Sequence, residues 1–94
     1  MVQGDAIVNP AVQFGDGVRC VGGALKRLYV KAVASGAATA PTGTDLSVKN
    51  ASAALGDVIP AGGARYYYTF YRDPPTFACV SFAFNTTSAV KVQW

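Results

Sequence analysis

Histidine and glutamate are both missing from this 94-residue chain. Without them no Ser-His-Asp triad, Cys-His pair or His-based metal site can form within one chain. Charge is also scarce: charged residues make up 14% of the sequence, against about 25% in an average soluble domain. The eight basic and five acidic residues give a net charge of +3. They are scattered as singles, with Lys26-Arg27 the one adjacent basic pair, so the basic stripe of a nucleic-acid binder is absent. No apolar run approaches the roughly 18 residues of a membrane span. Met1-Val2-Gln3-Gly4-Asp5 has neither the basic nor the apolar region of a signal peptide, as expected if Met1 opens an excised domain or a mature fragment.

What is present is apolar and small. Hydrophobic residues reach 51%, which excludes disorder, since that needs low hydrophobicity and high charge. The length allows one domain, 1–94, with a modest core. Ten glycines and five prolines punctuate the chain, and β-branched and small residues dominate between them. The two cysteines, Cys20 and Cys79, suggest one disulfide by their even count in a short Gly-rich chain, hence an oxidising compartment. Two buried thiols in a reducing compartment are the alternative.

Short strand-like pieces follow one another. Val2 to Val8 holds one, bounded by Asn9-Pro10, and Ala11 to Phe14 holds another. Gly15-Asp16-Gly17 is a turn, Val18 to Val21 a strand, and Gly22-Gly23 its end. Residues Arg27 to Ala34 alternate, which predicts a half-buried strand with Leu28, Val30 and Ala32 inward. Leu46 to Asn50 alternates again, with Leu46 and Val48 inward. Ala51 to Leu55 is ambiguous between strand, helical turn and loop. The densest aromatic stretch, Ala64 to Tyr71, reads as one central strand closed by Pro74-Pro75. Thr76 to Phe84 is strand-like, Asn85-Thr86-Thr87 a turn, and Val90 to Trp94 a last strand with Val90, Val92 and Trp94 on one face. Strands spaced by about ten residues predict an all-β fold, an antiparallel β-sandwich of about seven to nine short strands with one disulfide.

The five aspartates, Asp5, Asp16, Asp45, Asp57 and Asp73, all sit at turn-like positions, which argues against paired-carboxylate chemistry and against an enzyme. Asp16 and Asp45 are weak calcium candidates, from two loops that could supply oxygens. Arg72 and Asp73 read as a local pair. In the aromatic strand, alternation puts Tyr66, Tyr68 and Phe70 on a core face. Arg65, Tyr67 and Tyr71 fall on the other, with the Tyr67 and Tyr71 rings about 13 Å apart. Exposed rings beside Arg would suit a sugar; a second core layer or an interface is the blander reading.

Phrases along the whole chain form a set: Val2-Gln3-Gly4-Asp5-Ala6, Phe14 to Gly23, Lys26-Arg27-Leu28, Leu46-Ser47-Val48, Gly62 to Tyr67, Tyr71-Arg72-Asp73-Pro74, Phe84-Asn85-Thr86 and Val92-Gln93-Trp94. As a set they resemble a domain at the C-terminal end of longer extracellular proteins exported by planctomycetes, myxobacteria and related environmental bacteria. The resemblance implies export, a Cys20–Cys79 disulfide and a longer native protein. It implies no established activity and carries over no functional residue.

These readings lead to a non-enzymatic extracellular structural or protein-interaction module, without cofactor. Its partners would be other domains of the same chain or other copies of itself, paired through exposed edge strands. Neither nucleic acid nor membrane insertion is expected. The alternative is a carbohydrate-binding module using Tyr67, Tyr71 and Arg65.

Overall fold

The computed structural model describes residues 1–72 and 84–94. Among them are eight strands, paired antiparallel throughout, and one short helix. Strand β1 (Val2–Gly4) is followed by β2 (Ala6–Phe14), β3 (Gly17–Gly22) and the two-residue β4 (Lys26–Arg27). Helix α1 (Val48–Ala54) precedes β5 (Ala64–Tyr68), β6 (Phe70–Arg72), β7 (Phe84–Thr86) and β8 (Val90–Gln93). A four-stranded sheet has the order β4-β1-β5-β8, while β2 pairs with β3 and β6 with β7.

The four-stranded sheet is covered on both faces, and strand alternation decides which residue goes where. Val2 lies opposite Tyr68 and Gly4 opposite Tyr66. This face packs beneath the β2–β3 hairpin, and its buried core is Val2, Val21 and Tyr68, with Phe14, Tyr66 and Phe70 against it. Phe14 makes edge-to-face contacts with Tyr68, Phe70 and Phe84, each worth about 0.5–1.5 kcal/mol beyond area burial. Gly4 permits the close approach: a Cβ there would lie 2.5 Å from the Gly22 carbonyl oxygen. The opposite face carries Gln3, opposite Tyr67, and meets α1 and the segment after it.

Local chemistry accounts for the turns. The β2–β3 hairpin closes through Gly15-Asp16, with Phe14 opposite Gly17. Gly15 has φ +62°, the left-handed value that a type II′ turn needs at its first central position. At α1, the Ser47 side chain accepts from the Asn50 N–H, capping the start. The end is a Schellman motif: the Gly56 N–H donates to the Ala53 carbonyl and the Asp57 N–H to the Ser52 carbonyl, with Gly56 at φ +90°.

Several expectations are corrected. Asn9-Pro10 does not end a strand but lies inside β2, where that strand advances from Ile7 to Val12 while β3 advances only from Val21 to Arg19. A bulge tolerates a proline that a regular ladder does not. Leu46 to Asn50 is no strand: Ser47 caps a helix and Leu46 stays exposed. In the expected strand 27–34 only Arg27 lies in a strand, paired with Val2, and Ala34 makes an isolated bridge to Ala37. Inward and outward are also reversed there, Tyr29 being buried and Val30 77% exposed, because the Tyr29 hydroxyl reaches in to donate to the Leu46 carbonyl (2.6 Å). The aromatic strand is two strands, broken at Thr69, with β5 in one sheet and β6 in another. Asn85-Thr86 is not a turn but part of β7, paired with Tyr71 and Phe70. Most of the expected strand 76–84 lies outside the described residues. So does Cys79, and with it the expected disulfide; Cys20 is half-buried on β3 and has no disulfide partner among the described residues.

Candidate interaction surface

Beneath the second sheet face lies a polar knot. The Arg65 guanidinium holds Asp57 with two parallel hydrogen bonds, Nε to Oδ2 at 2.8 Å and Nη2 to Oδ1 at 2.7 Å. Gln3, fully buried, donates from Nε2 to Asp57 Oδ2 (2.8 Å) and to Ser52 Oγ (2.7 Å). The Ser52 hydroxyl donates onward to the Asp57 carbonyl (2.7 Å). The helix cap explains why these groups meet, since the Schellman turn delivers Asp57 directly beneath Ser52. Arg65 holds the Asp57 carboxyl below the usual range, outweighing the burial that pushes it up. The same hydrogen bond raises Arg65. With Ser52 completely buried, this hydroxyl has no access to a substrate. The knot ties β1, α1 and β5 together.

Beside the knot a groove lies between the start of α1 and β8. It encloses about 360 Å³ and is lined chiefly by Val48, Tyr67, Val90, Val92 and Trp94. The Trp94 indole N–H donates to the Tyr67 hydroxyl (3.0 Å), which satisfies the polar tips of both rings and leaves an apolar lining. Burial raises the Tyr67 pKa. Val90 is 58% exposed at the rim, on the outermost strand of this sheet.

A second, larger groove of about 710 Å³ runs between the 27–33 segment and β6. Arg27, Lys31 and Arg72 line it, with Tyr71 and the aliphatic Val30 and Val33. Arg27 stands over the Phe70 ring, 5.7 Å from its centroid. Lys31 pairs with Asp45 at 2.6 Å.

The residues expected to bind a sugar are not brought to one surface. Tyr67 is only 7% exposed, and Arg65 is committed to Asp57. Tyr71 is exposed, but on β6 in the second groove. Alternation was read correctly for the core face, where Tyr66, Tyr68 and Phe70 pack together. Tyr67 fits the blander reading of the other face, a second buried layer, because α1 and the turn after it pack on that face. The calcium candidates also serve as turn residues. Asp16 is exposed in the hairpin turn, its N–H donating to the Phe84 carbonyl. Asp45 Oδ2 accepts from Lys31 and from the Thr42 N–H and hydroxyl, and these bonds, Lys31 first, bring its pKa down to about 2. No group of three candidate metal ligands occurs among the described residues. Asp73, and any pairing of Arg72 with it, lies outside them.

Sequence reasoning missed Gln3, Ser52 and Asp57 as a unit. The available signal was Ser47 and Gly56 bracketing a short run of small residues, a helix start and stop. In comparisons with protein-family models, curated proteins and solved structures, the chain shows no match.

Proposed function

We propose that this chain is a non-enzymatic extracellular structural or protein-interaction module whose four-stranded sheet is covered by a partner along β8. The apolar groove beneath Val90 carries this reading. The groove offers an apolar seat for a partner's side chain, and the outermost strand beside it offers unpaired backbone for strand addition. The partner is another domain of the same chain or a second copy of it. The scarcity of charge and the resemblance to exported bacterial domains support an extracellular setting; no helix among the described residues is long and apolar enough to cross a membrane. In the finer reading of the fold, β2–β3 and β6–β7 form the second layer of a sandwich stapled by Cys20 and Cys79. That β3 lies against β7, which follows the Cys79 stretch in the chain, supports the staple.

Analytical ultracentrifugation across a concentration series tests the reading. The expected result is reversible self-association that Val90→Asp weakens while the melting temperature holds. Sedimentation as a monomer throughout, identical for both proteins, would remove the second copy as the partner.

A further inference from the structure

We propose that the groove between the 27–33 segment and β6 binds an acidic, carboxylate-bearing polysaccharide, with Arg27 and Arg72 as carboxylate clamps and Tyr71 as the stacking ring. The proposal is independent of the apolar groove along β8. Neither Arg27 nor Arg72 has an ion-pair partner among the described residues, and both are exposed in the same groove. A guanidinium presents a planar fork that matches a carboxylate with two parallel hydrogen bonds. Arg27 is also held in place by the Phe70 ring beneath it, so less side-chain freedom is lost when a ligand arrives. Lys31 adds a third cation, partly neutralised by Asp45.

Tyr71 separates this site from a bare basic patch. It is 42% exposed, and its backbone is fixed by the β6–β7 pairing opposite Asn85. A ring held on a strand offers a flat face to the apolar side of a sugar, while Val30 and Val33 extend that apolar wall. About 710 Å³ of open groove fits within the range of known ligand sites. Single-stranded nucleic acid is the competing polyanion. It is bound by successive stacking rings along a basic track, and here, among the described residues, one exposed ring lines the groove.

Affinity electrophoresis through gels containing polygalacturonate, alginate, neutral dextran or dextran sulfate, with an oligothymidylate competitor, tests the proposal. Polygalacturonate or alginate should retard the protein and dextran should not. Arg72→Ala and Arg27→Ala should each weaken binding about tenfold or more, as loss of a charge-assisted hydrogen bond implies. Tyr71→Ala should weaken it as well. Lys49→Ala, a charge removed on α1 outside the groove, should leave it unchanged. Circular dichroism melts on every variant show that it is folded, and Arg72→Gln, Arg27→Gln and Tyr71→Leu replace any that is not. The proposal is overturned if no uronate polymer retards the protein, if Lys49→Ala weakens binding as much as Arg72→Ala, or if dextran sulfate or oligothymidylate binds more tightly than the uronates.

Discussion

Asp57 is the residue on which four of the described side-chain hydrogen bonds converge. It accepts from Arg65 and Gln3, and its carbonyl accepts from Ser52. Asp57→Asn should therefore destabilise the fold by about 1–3 kcal/mol near neutral pH, the range for stranding buried donors, as read by urea unfolding. The pH dependence has a definite sign. A carboxylate whose folded pKa is depressed contributes fully above its unfolded pKa, near 4, and loses that contribution as pH falls through the folded value. The stability gap between wild type and Asp57→Asn should narrow as pH falls below about 4. Asp45 gives a second test. Lys31→Ala should raise its pKa from about 2 toward the ordinary carboxylate value, yet leave it low because the Thr42 bonds remain. NMR titration of the carboxyl carbon reads this directly.

At the scale of elements, glycine chemistry decides the hairpin and the helix end. Gly15→Ala places a Cβ against the Phe84 carbonyl at a left-handed φ, so it should cost about 1–3 kcal/mol, whereas alanine at Gly36, which has open space around it, pays only the smaller cost of its positive φ. Thermal unfolding of the pair separates collision from backbone strain. Ser47→Ala should lower stability by about 1 kcal/mol through the lost cap. The hairpin was legible because Gly-Asp-Gly admits few alternatives. The helix was not, because Leu46-Ser47-Val48 alternates like a strand, and a seven-residue helix is too short for its own period to show.

For the whole molecule the notable feature is how much apolar surface the described residues leave open. Among them the buried apolar cluster is Val2, Val21 and Tyr68 with three aromatics packed on it, while Val30, Val33, Val58 and Val90 stay largely exposed. The chain spans 46 × 35 × 18 Å, a flat body with much surface for its volume, which is the geometry in which a staple matters most. A Cys20–Cys79 bridge would close a loop of about 60 residues, worth roughly 4 kcal/mol on the chain-entropy account. Protein prepared without reductant should show no reactive thiol when denatured, and reduction should lower the melting temperature. Two free thiols under those conditions would reject the bridge.

The sequence by itself determined the β-rich class, the antiparallel hairpin at Gly15-Asp16, the core face of the aromatic stretch and the scarcity of catalytic groups. Each is local, set by composition, by the period of two along a strand or by the φ that only glycine takes easily. Tertiary structure alone decided that Thr69 splits the aromatic stretch between two sheets. It also decided that Tyr67 lies under cover, and that Gln3, Ser52, Asp57 and Arg65 meet. Alternation assigns a residue to one face of its strand, but only the elements packed on that face decide whether it meets water, a neighbour or a partner.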